Sequence, residues 1–292
     1  MRVPEEVRQC VVYLGLPGAD TSGRQTMIPR GTAFFVSVPS EVHNDIVFIY
    51  VVTAKHVAKR LEGREFLVRA NTAAGGSVFV PSGKQVVWWY HHTDESVDVA
   101  ALAWAPPKEI EHKHIPTSMF LTDEVIRDKK IGTGDEVFIT GLFVHLAGSE
   151  RNLPIVRMGN IAMMPGEPVP TSMGNIEAHL IEARSIGGLS GSPAFVRETI
   201  PSGIGPFYLL GLMHGHWDIP PERMHDEATA DAEETVGRVN MGIAIVVPAK
   251  KILEVLNQPR LVEGRRQEDE RIRRERQPTL DEEMERREDD KP

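Results

Sequence analysis

Cysteine is almost missing from this chain: Cys10 is the one thiol in 292 residues. A single thiol excludes any internal disulfide and therefore the small secreted folds that depend on bridges. A chain of this length buries enough surface to need none. Aromatic residues are sparse, at 6%, and no apolar run approaches the roughly 20 residues that cross a bilayer. An excess of basic charge is missing too. The 33 Lys and Arg face 42 Asp and Glu, for a net charge of −9, which argues against a nucleic-acid binder with a basic face. The opening residues, Met1-Arg-Val-Pro-Glu-Glu, lack the apolar core of a secretion signal. Together with the lack of cysteine pairs, this gives the expectation of a cytoplasmic protein. No repeat of about 20 to 50 residues is visible, which excludes solenoids and propellers.

What remains is a globular composition, 41% hydrophobic and 26% charged, in one large domain or two smaller ones. From about Pro259 nearly two thirds of the residues are charged, with Arg and Glu interleaved. That stretch, 259–292, is expected to be disordered or a solvated helix, a solubilising tail or a helix that binds a regulatory partner. The body instead shows short β-rich runs at 10–14, 32–38, 46–53, 66–69, 77–80, 85–89, 99–104, 136–141, 153–161, 176–182, 192–196, 207–213 and 241–247. Gly, Pro, Asn and Asp separate them, so the body reads as all-β, barrel or sandwich. Helical spacing is clear only at 248–256, with Pro248 in the first turn, and a one-turn helix is expected at 54–59.

Three segments carry chemistry. In Gly188-Leu-Ser190-Gly-Ser-Pro193, glycines flank a serine, so the backbone can turn tightly with the hydroxyl exposed. The amides of Gly188 and Ser190 can then converge outside the chain, as a nucleophile with its own oxyanion hole requires; the bland alternative is a Gly/Ser turn. In Val51-Val-Thr53-Ala-Lys-His56 an apolar strand ends just before a histidine, a general base or a structural side chain. In Ser96-Val-Asp98-Val-Ala-Ala-Leu an acid enters an apolar strand. A buried carboxylate there needs a partner, unless it bonds its own backbone. The order is His56, Asp98, Ser190, at intervals of 42 and 92 residues.

That order and these segments resemble the chymotrypsin/trypsin-like serine peptidases. Further on, Leu210-Gly-Leu212-Met213-His214-Gly215 is similar to the strand that binds substrate backbone. Asn240-Met-Gly242 is similar to the strand that closes the specificity pocket, and 248–256 to the family's C-terminal helix. The resemblance spans about 8–257. It implies two six-stranded antiparallel β-barrels and a C-terminal helix. An N-terminal barrel over 1–125 would carry His56 and Asp98, and a C-terminal barrel over 126–258 would carry Ser190. It implies a serine endopeptidase with catalytic His56, Asp98 and Ser190, an oxyanion hole from the Gly188 and Ser190 amides, a peptide or protein substrate, and no metal or cofactor. A catalytically silent module that binds peptides on the same scaffold, or a serine esterase, are the alternatives.

The chain departs from the digestive members of the family. Leu189 stands where zymogens carry an aspartate, and no Ile-Val-Gly-Gly-type segment occurs near the start, so the usual activation ion pair has no partners. The chain is then active as made or switched by a partner. Arg184 falls where the pocket base often lies and would favour an acidic residue before the scissile bond, or it lies on the surface. The insertion 217–239 is rich in acids and is either a solvated flexible loop or one that draws basic peptides; this cue and Arg184 conflict, and no specificity is expected from them. His214 occupies a position commonly held by serine near the triad aspartate, to bond Asp98 or to pack. His112-x-His114 and His214-x-His216 have the look of metal pairs, with no Cys, Asp or Glu set to complete them.

Overall fold

The computed structural model of the protein describes residues 3–20, 22–83, 85–171, 173–183, 188–200, 203–219 and 239–276. The first sheet is built from β1 (Val11–Ala19), β2 (Gln25–Pro39), β3 (Val47–Thr53), β4 (Leu67–Asn71), β5 (Ser77–Pro81), β6 (Trp89–Tyr90) and β7 (Ala100–Ala103), with β8 (Ile115–Pro116) added parallel to β2. Its order is β5-β4-β1-β2-β3-β7-β6. Helices α1 (Glu6–Gln9) and α2 (Lys55–Leu61) flank it, and α3 (Asp123–Lys129) leads to the second half. There β9 (Glu136–Gly141), β10 (Ile155–Met163), β13 (His179–Glu182), β14 (Pro193–Ile200), β15 (Gly203–Ile219) and β16 (Val239–Pro248) close a barrel in the order β10-β13-β16-β15-β14-β9. A hairpin of β11 (Val169–Thr171) and β12 (Gly174–Ile176) stands beside it. Two helices end the described chain, α4 (Ala249–Leu256) and α5 (Pro259–Arg276).

The expected double-barrel architecture is present, with one difference in the first half. That sheet has eight strands, and its ends β5 and β6 do not pair. Side chains join them instead: Phe66, just before β4, stacks on Trp88, just before β6, at 5.7 Å. This explains why the apolar run 85–89 is strand only at its end. Its large residue serves packing, and Trp88 is buried while residues 85–88 make no ladder. The second barrel is filled by alternate strand residues such as Val137, Ile139, Ile181, Val196 and Ala244, as a closed sheet with one inward face requires.

Two attachments tie the halves and the tail. The β9–β10 loop crosses to the first sheet, where Arg69 donates to the Ser149 carbonyl at 3.0 Å and Asn152 Nδ2 donates to the Arg69 carbonyl at 2.7 Å. Asn152 N–H donates in turn to Asn71 Oδ1 at 2.6 Å. The charged stretch begins as helix α5, which lies against the β2–β3 turn. Ser40 Oγ accepts the amides of Val42 and His43 and donates to the buried Asp269 at 2.7 Å. Arg276 pairs with both oxygens of Asp45 at 2.8 and 3.0 Å. Among the described residues no helix is long and apolar enough to cross a membrane.

Phe195 on β14 is 1% exposed and stacks on Phe138 at 5.2 Å. Phe195→Ala is expected to cost about 3–5 kcal/mol by emptying that space, read as a lower urea midpoint. His179 on β13 is buried, and that burial, with Lys250 adding to it against Glu177 and Asp123, lowers its pKa from 6.5 to about 4. The unfolded chain therefore binds this proton at higher pH than the folded one. Stability is full above about 6.5 and is lost as pH falls towards 4. His179→Gln is expected to flatten that part of the stability–pH curve, measured by urea titration.

Candidate active site

His56 stands in the first turn of α2, three residues after β3 ends at Thr53. The first amides of a helix have no partner within it, and Ala54 provides no side-chain cap. Asp98, just before β7, supplies one from outside: its Oδ1 accepts the His56 backbone N–H at 2.9 Å. Its Oδ2 accepts the same residue's Nδ1–H at 2.8 Å. The carboxylate thus fixes both the backbone and the ring of His56. The adjacent strands set this up, since Thr53 on β3 pairs with Ala100 on β7.

Asp98 is 2% exposed and has a second imidazole partner. His214 Nδ1 donates to Oδ2 at 2.6 Å, and the two rings meet edge to face with centroids 5.6 Å apart. The β15–β16 register slips between Met213 and Gly215, and such a bulge re-aims a side chain; here it accompanies a His214 side chain turned onto the carboxylate. Burial alone would raise the Asp98 carboxyl. The hydrogen bonds from His214 and His56 outweigh it and hold the pKa down to about 2.

His56, Asp98 and His214 also bring their ligand atoms within 4.8 Å of one another, a grouping of the kind that can bind a metal. Donors on one tetrahedral ion at 2.0–2.2 Å lie more than about 3 Å apart. The separations of 2.6 and 2.8 Å are those of hydrogen bonds instead.

Ser190 sits in a turn between two glycines at positive φ, Gly188 at 97° and Gly191 at 82°. Gly191 has a further reason to be glycine: a Cβ there would lie 2.2 Å from the Thr32 carbonyl oxygen. The turn is pinned on both sides. Gly191 N–H donates to the Met213 carbonyl at 2.8 Å, Met213 N–H to that of Ser192 at 2.8 Å, and Thr32 N–H to that of Ser190 at 3.0 Å. Leu189 is buried in the core of the second barrel. The Ser190 hydroxyl donates to the His214 carbonyl at 3.2 Å. Among the described residues no hydrogen bond joins Ser190 Oγ to His56 Nε2, and neither the Gly188 nor the Ser190 amide is taken by another group.

The remaining expected site residues divide. Among the described residues, a Cβ added at Gly215 or Gly242 would meet nothing within 4 Å. Leu212 and Met213 are fully buried. Met213 is core, and both its backbone N–H and its carbonyl are engaged by Ser192 and Gly191, so it offers no polar group to a ligand. Arg184, the expected pocket base, and most of the acidic insertion lie outside the described residues. Thr32 escaped the sequence reading. The one available signal was a lone hydroxyl after glycine at the head of the apolar run Thr32-Ala-Phe-Phe-Val.

No family model matches the chain, and neither does any curated protein. Solved structures do. The MamO protease domain from Magnetospirillum magneticum, in its apo form, aligns with a TM-score of 0.51 at 19% identity, over 87% of this chain and 99% of that one. The HtrA-type protease AlgW, solved with a decapeptide, aligns with a TM-score of 0.51 at 16% identity, over 88% of this chain and 66% of that one. At these identities the likeness establishes the fold, and the chain has the chymotrypsin/trypsin-like serine peptidase fold.

The Asp98 carboxyl yields a pH prediction. Its folded pKa lies below the ordinary 3.8, so the stability it contributes is complete above that value and is lost as pH falls towards 2. Urea titrations of the wild type and Asp98→Asn should show a gap at neutral pH that closes in acid. A gap of constant size down to the acid limit would contradict the assignment.

Proposed function

We propose that this protein is a serine endopeptidase that hydrolyses peptide bonds through an acyl-enzyme. The observation that carries the reading is the His56–Asp98 pair, a buried carboxylate gripping the imidazole at Nδ1 and the backbone at N–H. With Nδ1–H donated to Asp98, a neutral His56 keeps its lone pair on Nε2, the form a general base requires. In the proposed reaction His56 takes the Ser190 proton while Oγ bonds to the scissile carbonyl carbon. The oxyanion falls to the amides of Gly188 and Ser190. The imidazolium then protonates the leaving amine, and a water deprotonated by His56 releases the acid product. Asp98 remains ionised and stabilises the imidazolium. The reaction so written draws on the chain's own residues alone.

The substrate class proposed is a peptide or protein segment, whose backbone would run along the strand segments at Gly215 and Gly242. AlgW was solved with a decapeptide, which supports a peptide as the ligand. One observation favours a second reading, a silent peptide-binding module: the Ser190 hydroxyl points to the His214 carbonyl instead of His56. Catalytic hydrogen bonds are often loose without substrate, and for that reason the peptidase reading is preferred.

Incubation with a fluorophosphonate probe decides between them. The wild type is expected to be labelled, Ser190→Ala not at all, and His56→Ala more slowly by about 10³-fold or more. An unlabelled wild type would leave the silent module as the better reading.

A further inference from the structure

Thr32 makes hydrogen bonds with every polar atom it has, and two of them end on the turn that carries Ser190. It is fully buried on β2, in the half of the molecule that does not contain Ser190. Its backbone N–H donates to the Ser190 carbonyl at 3.0 Å. Its hydroxyl donates to the Gly188 carbonyl at 2.8 Å and accepts the Leu142 N–H at 2.9 Å. Its own carbonyl accepts the Thr53 hydroxyl at 2.7 Å. Gly31 before it allows the approach, since a Cβ there would lie 2.8 Å from a methyl of Val57 and 3.1 Å from the Ser190 carbonyl oxygen.

The geometry points to Thr32 as a positioning residue for the oxyanion hole. This rests on the peptidase reading of the site. The two amides assigned to the hole belong to the peptide planes before Gly188 and before Ser190. The two carbonyls that Thr32 holds belong to the planes after those same residues. Peptide units are rigid, and adjacent ones turn only about the φ and ψ between them. Glycine sets the loosest such hinge, because it occupies both signs of φ at little cost. Gly188, at φ 97°, is therefore where a peptide flip would meet least resistance. The Thr32 hydroxyl opposes that flip by holding the Gly188 carbonyl, while the Thr32 amide holds the turn on the far side of Leu189. The Leu142 amide orients the hydroxyl hydrogen towards Gly188, because it occupies an oxygen lone pair.

Thr32→Val keeps the shape and deletes the hydroxyl, whereas Thr32→Ser keeps the hydroxyl and deletes a methyl. The rate of fluorophosphonate labelling at a series of probe concentrations separates probe affinity from the bond-forming step. In Thr32→Val the bond-forming rate constant is expected to fall about 10²-fold, the scale of a lost oxyanion donor, with little change in probe affinity. Thr32→Ser is expected to stay within a few-fold of wild type. Ser37→Ala, which removes a buried hydroxyl further along β2, is expected to leave the bond-forming rate constant at the wild-type level. Thr32→Ala serves beside Thr32→Val should the latter not fold, as judged by circular dichroism. Wild-type rate constants in a folded Thr32→Val or Thr32→Ala, or an equal loss in Thr32→Ser, would overturn the assignment while leaving the peptidase reading intact. An unlabelled wild type would overturn both.

Discussion

Asp98 is a carboxylate with almost no contact with water, and such a charge costs several kcal/mol unless its lone pairs are met. Three donors meet them: the His56 amide, the His56 ring and the His214 ring. They come from the start of a helix in one half of the molecule and from a bulged strand in the other. The ion can therefore be satisfied only when both halves are folded and docked. Removing either imidazole leaves a buried anion short of a partner, so the arrangement enforces its own completeness. This one constraint fixes the ends of β3 and β7, the first turn of α2 and the slip in β15.

The Ser190 turn answers to a complementary constraint. It has few side-chain contacts of its own, being mostly glycine and serine, and is shaped by hydrogen bonds from outside. Met213 holds it from within the barrel and Thr32 from the other half of the molecule. A glycine-rich turn retains much conformational freedom, and neighbours, not local propensity, select one form. The absence of an aspartate beside Ser190 fits this picture, because Leu189 anchors the turn by burial in the core.

Much of this was legible in the sequence, for identifiable reasons. Strands such as β9 announced themselves because Glu136–Gly141 lies between clear turn signals and is rich in β-branched and aromatic residues. The His56–Asp98 contact was foreshadowed by an acid placed where burial is unavoidable. Where reading failed, the information was tertiary. Run 85–89 is apolar for the sake of Trp88 against Phe66, not for a ladder. Helix α3 was missed although Thr122 caps it through the Val125 amide, because seven residues give too short a period to stand out. Met213 lies within a segment of the right pattern, yet its alternation faces the core. His214 was flagged by position, but the bulge that turns it onto Asp98 depends on how two long strands pair. In α5, Asp269 is indistinguishable by composition from its exposed neighbours, and only the turn at Ser40 makes it a buried contact.

The loop between β9 and β10 has a mechanical meaning. It starts at Leu142, whose amide is fastened to Thr32, and near its other end Asn152 is fastened to Asn71 and Arg69. Between them Val144 lies against Gly188, close enough that a Cβ on that glycine would come within 2.7 Å of a Val144 methyl. A span belonging to one half and tied at both ends to the other behaves as a strap. Shear between the two sheets loads it in tension, and the load passes beside the most pliable peptide of the Ser190 turn. The rigidity of that turn is thus borrowed from the seating of one half on the other, and its shape registers how firmly the two are held together.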